Sequence, residues 1–377
     1  MSSVRRALAA LLPDATEGLF LKACLSSGEA CGHAWEEFLR RSPSLQQIFR
    51  TDREELKRLA PLLLSNLSRN GVHVESELQT ILRTALFREQ LRSKRYQEVL
   101  AESLRVLAGA GIEVVVMRGA ALSNSVYREP ALRHSHDIDF LIRADDRPGA
   151  VRALLDNGFT GTPLGAETTR EQRQLIHPNG LPLRLDVAAS QTCLDDRRTQ
   201  ELWDRSVSAT IAGEPARRQA PEDNLALVLS GAAWSSDRDL RWACDGWMIA
   251  AACPSLSADI LTLAMATHGL VLSSVVLLEY LADLGAPVAK EVVASARHAA
   301  AAATVMQRDL ALFGLRRGKS GGLRSVVKRI PDYRARFALL FWVLFPSLAY
   351  LRWAYRPRYA ALTPAWYVIR VVASIGD

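Results

Sequence analysis

Between residues 112 and 142 the chain departs from the helical periodicity on either side, and this short stretch restricts the fold more than any other feature of the sequence. Residues 112–117 (IEVVVM) are mostly β-branched and end at Arg118-Gly119, the pattern of a buried strand entering a tight turn. Residues 120–127 then read as a helix stopped by Glu129-Pro130, and 136–142 (HDIDFLI) as a second strand of alternating polarity. Residues 145–158 give another helix, closed by Asn157-Gly158, and 181–187 a third strand. Strand, helix, strand, helix, strand is an α/β core.

The flanks have the opposite texture. Leu56, Leu59, Leu63 and Leu67 recur at three- and four-residue spacing, and a long amphipathic stretch from 78 to 107 is stopped by Gly109 and Gly111. After Pro221 helical spacing returns through 225–234, 240–252 and 260–284. The expected class is therefore α+β, mainly α, with a small mixed-sheet core between helical lobes. The 377 residues suffice for two or three units. We expect a helical lobe over 1–108, a core over 109–215, a second helical lobe over 216–313, and a basic linker with apolar helices over 314–377.

Charge and cysteine usage narrow the context. A net charge of +7 and a pI near 9.3 favour anionic partners. The arginines are scattered, without the dense basic block of a nucleic-acid arm, so nucleic acid is not indicated. Five cysteines, an odd number with no CxxC pair, argue for a reducing compartment. The first twenty residues, broken by Pro13, make a poor signal peptide, and the cytoplasm is the expected location. Residues 337–355 (FALLFWVLFPSLAYLRWAY) are the most apolar in the chain but contain Pro346 and Arg352. Packing as a C-terminal helix pair is the first reading, peripheral contact with the inner face of a membrane the second, and a span the third.

Asp137 and Asp139 stand two apart on the second strand, so both project from one face while Ile138, Phe140 and Ile142 project from the other. In residues 183–187 (LRLDV) the same alternation puts Arg184 and Asp186 together, opposite Leu183, Leu185 and Val187. A neighbouring strand then adds a third carboxylate. Crowded carboxylates are stabilised by a hard divalent cation with oxygen ligands, most often Mg²⁺ beside a phosphate substrate. Two such ions about 4 Å apart assist displacement at phosphorus. The bland reading is that Asp137 and Asp139 occupy the wet face of an edge strand. The Arg118-Gly119 turn, placed to hold phosphate oxygens at a helix N-terminus, favours the metal reading.

The residues MRGAA (117–121), Tyr127, Arg133 and DIDFLI (137–142) resemble a known pattern: a basic residue and Gly, a helix with Tyr near its end, an Arg, then DIDLLV. Residues 58–67 (RLAPLLLSNL), 240–245 (LRWACD) and 350–357 (YLRWAYRP) are also similar, and the likeness covers most of 30–370. The family is the largely uncharacterised bacterial nucleotidyltransferase group within the polymerase beta-like superfamily. The resemblance implies a polymerase beta-like core and Mg²⁺-dependent chemistry, with two ions and Mn²⁺ as the alternative. It implies a nucleoside triphosphate substrate, ATP first among them. Asp137, Asp139 and Asp186 are the implied catalytic and metal-binding carboxylates. Where the superfamily has Gly-Ser this chain has Gly119-Ala120, which leaves Ser123 as the substitute hydroxyl. Where the family has Leu-His-Trp after the third carboxylate, this chain has Val187-Ala188-Ala189.

Arg118, Gly119, Ala120, Ser123 and Arg133 are the expected phosphate contacts. A guanidinium offers fixed paired donors to phosphate oxygens. Arg133 has a second reading, pairing with the carboxylates. His134 and His136 flank the site and are left outside it. Asp245 is read equally as functional or as a structural carboxylate orienting the helical lobe. The stretch 314–320 (GLRRGKS) has one residue too few for a P-loop and reads as linker. The expected reaction is transfer of a nucleoside monophosphate from a triphosphate to a peptide, sugar or small molecule. Kinase-like phosphoryl transfer and a non-catalytic nucleotide-binding scaffold are the alternatives.

Overall fold

The computed structural model describes residues 2–9, 12–42, 54–161, 172–188, 196–234, 239–267 and 270–316, with five isolated positions between 337 and 351. Most of these residues are helical, and the strands among them form one seven-stranded mixed sheet of order β3-β4-β5-β2-β1-β7-β6. The strands are β1 (Val115–Met117), β2 (Ile138–Leu141), β3 (Thr160–Gly161), β4 (Gln172–Ile176), β5 (Pro182–Asp186), β6 (Val207–Ile211) and β7 (Glu214–Arg218). The three strands read from sequence, β1, β2 and β5, are the centre of this sheet. β3, β4, β6 and β7 extend it on both sides and carry no comparable apolar run.

β1 runs antiparallel to β2 and parallel to β7, and β2 runs parallel to β5. One face of these central strands is wholly apolar. Val116, Ile138, Phe140, Leu183 and Leu185 are each fully buried there, against Val99, Leu100, Leu104 and Leu107. Each such side chain contributes about 1.5–3 kcal/mol on burial. A one-residue slip of β2 would exchange this set for Asp137 and Asp139, at several kcal/mol per buried ion. The hydrophobic pattern thus fixes the register, and the register fixes the carboxylates on the opposite face.

The helix Ser76–Gly109 is 34 residues long and serves two cores. Its first turns contribute Leu78 and Leu82 to a core shared by helices from 20–67 and 225–296. Its later turns contribute Tyr96 to Leu107 to the sheet core. The helix ends where the sequence predicts: Gly111 takes a left-handed φ of 72°, and the Ile112 amide turns back to the Leu107 carbonyl at 2.9 Å.

Cys24, Cys31 and Cys244 are buried free thiols. Among the described residues no helix is long and apolar enough to cross a membrane. The apolar segment 337–355 and the linker from 317 lie almost entirely outside the described residues.

Candidate functional site

The second face of the sheet carries Asp137, Asp139 and Leu141 from β2 and the residue before it, Arg184 and Asp186 from β5, and Val115 and Met117 from β1. A small apolar group covers part of it, with Val115, Met117 and Leu141 packed against Leu202 and Trp203. The polar residues lie beside that patch.

The parallel register of β2 and β5 sets Asp139 opposite Arg184 and Leu141 opposite Asp186. Arg184, rather than Asp186, therefore reaches the gap between the first two carboxylates. Its Nε donates to Asp139 Oδ1 at 2.6 Å and its Nη2 to Asp137 Oδ2. Arg118 approaches from the other side, with Nη1 3.4 Å from Asp139 Oδ2. The Asp139 side chain is 3 % exposed and that of Asp137 23 %. Burial alone would raise the Asp139 carboxyl; the Arg118 and Arg184 guanidinium groups outweigh it and hold it below the usual carboxylate range. Arg184 is stabilised in turn: burial disfavours its charge, and Asp139 and Asp137, then more weakly Asp186, more than compensate.

This arrangement bears directly on the expected metal. The donors have the right chemistry, three carboxylates on one face of adjacent strands. Yet among the described residues no group of three or more His, Cys, Asp or Glu side chains is placed to hold a metal ion. The space between Asp137 and Asp139 is bridged by the Arg184 guanidinium. As arranged, these side chains do not form a divalent-cation centre, and the neutralising charge comes from arginine.

The turn after β1 is built differently from the expected phosphate cradle. Arg118 adopts a φ of 51°, a left-handed conformation that costs a residue with a side chain on the order of 1–2 kcal/mol. It begins a helix of only six residues, Arg118–Ser123. Gly119 and Ala120 are buried in it, and the Ser123 hydroxyl donates back to the Ala120 carbonyl at 3.3 Å. Ser123 thus faces its own helix. A Cβ at Gly119 would run into Arg133 Nη1 and lie 2.9 Å from Ser135 Oγ, so the glycine makes room for Arg133.

Arg133 is fully occupied. Its Nε and Nη2 donate to the two Asp245 carboxylate oxygens at 2.9 and 2.8 Å, and its Nη1 donates to Ser135 Oγ at 2.9 Å. The Tyr127 hydroxyl donates to the same Asp245 Oδ1 at 2.7 Å. Burial raises the Tyr127 hydroxyl pKa, reinforced by Asp245, so it remains a proton donor. Tyr127 and Arg133, together with Asp245 more than a hundred residues further on, form one buried clasp between the core and the helix Arg241–Ala252. Of the residues expected to contact phosphate, Arg118 alone keeps an exposed guanidinium beside the carboxylates, 32 % accessible.

The loop leading into β2 is held from several sides. Arg92 donates to the Ser135 carbonyl at 2.8 Å, Arg241 to the His134 carbonyl at 2.8 Å, and the Tyr96 hydroxyl to the Asp137 carbonyl at 2.8 Å. His134 lies between Arg92 and Glu89, with Nδ1 2.9 Å from the Glu89 carboxylate. His136 is on the rim, 54 % exposed, its Nε2 3.9 Å from Asp137 Oδ2. Burial lowers the His136 pKa and Asp137 opposes the shift. Alternation in LRLD marks Arg184 as sharing the face of Asp186; the register that sets it opposite Asp139 is legible only in the sheet. Arg92 and Tyr96 carry no sequence signal of their targets, which lie more than forty residues away.

Beside Arg118 a cavity of about 240 Å³ opens between the core and the helical lobe, walled by Leu122, Leu227, Val228, Arg241 and Trp242. Arg118, which pairs with Asp139, is the side chain that links the carboxylates to this cavity.

No curated protein matches the chain. Residues 54–285, more than half of it, match a family described as an uncharacterised nucleotidyltransferase, and the match takes in Asp137, Asp139, Arg184 and Asp186 together with the Tyr127–Arg133–Asp245 clasp. With the sheet, the carboxylate pair and the clasp all inside the matched region, the chain belongs to this nucleotidyltransferase family.

Proposed function

We propose that this protein transfers a nucleoside monophosphate from a nucleoside triphosphate, ATP first among them, to a hydroxyl of an acceptor. The observation that carries the reading is the pair Asp137 and Asp139 on one sheet face, bracketed by the Arg118 and Arg184 guanidinium groups. In the transfer, the acceptor oxygen bonds to the α-phosphorus and the bond to the bridging oxygen of the β-phosphate breaks. Pyrophosphate leaves with the bonding electron pair, and the hydroxyl proton passes to Asp137, the more accessible carboxylate. Arg118, on the side of the cavity, orients the phosphates and offsets their charge. The sheet and the clasp hold these groups in place before the substrates arrive, which is where much of the rate of a displacement at phosphorus originates.

Dependence on Mg²⁺, with Mn²⁺ as the alternative, is part of this proposal on one condition: Arg184 must withdraw from Asp137 and Asp139. Its occupation of that space supports a second reading, nucleotide binding without transfer. Purified protein is incubated with Mg²⁺ and α- or γ-labelled triphosphates, with lysate fractions as acceptors, beside Asp137→Asn and Asp139→Asn. Transfer of the α-label that is lost in both variants supports the first reading. Movement of the γ-label means kinase-like chemistry. Nucleotide binding that persists without any transfer supports the second reading.

A further inference from the structure

A transferase has two ligands to seat, and the cavity beside Arg118 accounts for one. A separate groove of about 470 Å³ lies between the helix Ser76–Gly109 and the β4–β5 turn. That volume lies within the range of small-ligand sites. Its helical wall presents Arg88, Arg92 and Arg95, spaced four and three residues apart and hence on one helix face. Arg92 is engaged with the His134–Ser135 segment. Arg88 and Arg95 are exposed, and among the described residues neither side chain takes part in a hydrogen bond or an ion pair. The opposite wall is Leu181 and Pro182, and Leu91, 53 % exposed, adds an apolar surface beside the arginines.

The groove reaches two neighbours of Asp137. His136 and Tyr96 line it; His136 Nε2 is 3.9 Å from Asp137 Oδ2, and Tyr96 holds the Asp137 carbonyl. Two unpaired guanidinium groups along the helical wall, an apolar wall opposite them, and His136 and Tyr96, which adjoin Asp137, describe a ligand with an anionic group, a short carbon skeleton and a hydroxyl. Guanidinium groups favour phosphate through paired donors.

We propose that this groove is the acceptor site and that the acceptor is a small phosphomonoester bearing a free hydroxyl, its phosphate held by Arg88 and Arg95 and its hydroxyl delivered beside Asp137. The assignment rests on the nucleotidyl-transfer reading for its purpose, while the binding itself is measurable without turnover. The hydroxyl oxygen forms the new bond to the α-phosphorus of the triphosphate and pyrophosphate departs, so the product is a phosphodiester or mixed diester that retains the acceptor's own phosphate.

The test is calorimetric titration of the full-length protein with glycerol 3-phosphate and, in parallel, glycerol, together with α,β-methylene ATP as an independent probe of the nucleotide side. Wild type is expected to bind glycerol 3-phosphate and not glycerol. The Arg88→Ala/Arg95→Ala double variant is expected to bind it at least about tenfold more weakly, since a hydrogen bond to a charged group contributes roughly 1.5–3 kcal/mol. Binding of α,β-methylene ATP is expected to change less than about twofold, because neither arginine reaches the other cavity. Both side chains are exposed and unpaired, so the variant keeps its fold. Equal binding of the two glycerol compounds by wild type, or undiminished glycerol 3-phosphate binding by the variant, overturns the acceptor assignment. Loss of α,β-methylene ATP binding in wild type, with glycerol 3-phosphate binding intact, overturns the transfer reading instead and leaves a phosphomonoester-binding groove.

Discussion

Arg184 is the side chain on which the site turns. It compensates two carboxylates at once, one of them almost wholly buried. Removing one partner of a buried ion pair costs about 3–5 kcal/mol, and the partial exposure of Arg184 places its loss toward or below the lower end of that range. Arg184→Gln is therefore expected to shift the urea midpoint downward by an amount equivalent to about 2–3 kcal/mol. If a divalent cation and the guanidinium compete for the same oxygens, Mn²⁺ will restore part of that loss in the variant and do little for wild type. An identical response of the two proteins to Mn²⁺ would separate the metal from this carboxylate pair. The same contacts set a pH dependence. The Asp139 pKa is lower in the folded protein than in the unfolded chain, so its contribution to stability is present above the unfolded value, about 3.9, and is lost as pH falls through the folded value. Wild type is expected to show an acid limb below about pH 4 that is shallower in Asp139→Asn, measured by denaturant unfolding across pH 2–6.

Among elements, the clasp of Tyr127, Arg133 and Asp245 ties the core to the helix Arg241–Ala252. The three do not contribute equally. Asp245→Ala leaves a largely buried guanidinium unpaired and is expected to destabilise by about 3–5 kcal/mol. Tyr127→Phe removes one hydrogen bond from a carboxylate that Arg133 still engages, for about 1–2 kcal/mol. Thermal or urea unfolding of the two single variants and the double variant completes a cycle, and the double variant should be less destabilised than the sum, because Tyr127 has lost its acceptor once Asp245 is gone. Strict additivity would show that the hydrogen bond contributes nothing to the clasp.

At the scale of the whole molecule, the helix Ser76–Gly109 couples the helical core to the sheet core. Leu82 and Leu100 are both fully buried, one in each core, about five turns apart on that single helix. Leu→Ala at either position is expected to cost about 2–5 kcal/mol. Because the helix is continuous, each is expected to lower one common unfolding transition, followed by circular dichroism at 222 nm and by tryptophan fluorescence. Two resolved transitions, each moved by one variant alone, would mean that the cores unfold independently.

Local physics made much of this protein legible in its sequence. The β-branched run at 112–117 and the alternating polarity at 136–142 announced β1 and β2, Gly109 and Gly111 announced the end of the long helix, and the same alternation put Asp137 and Asp139 on one face, because strand periodicity is a property of neighbours along the chain. The strands β3, β4, β6 and β7 were silent, since strands at and near the edges of a sheet are stabilised by pairing rather than by an apolar run of their own. The alternation in LRLD placed Arg184 and Asp186 on one face but left undecided which of them meets Asp139; that depends on how β5 registers against β2, and the packing of Leu183 and Leu185 beside Ile138 and Phe140 decides it. Likewise nothing near Arg133 identifies Asp245, 112 residues away, as its partner. Residue type and spacing determined which groups the site contains, and the tertiary structure alone determined which of them touch, because contact between distant segments depends on the packing of everything between them.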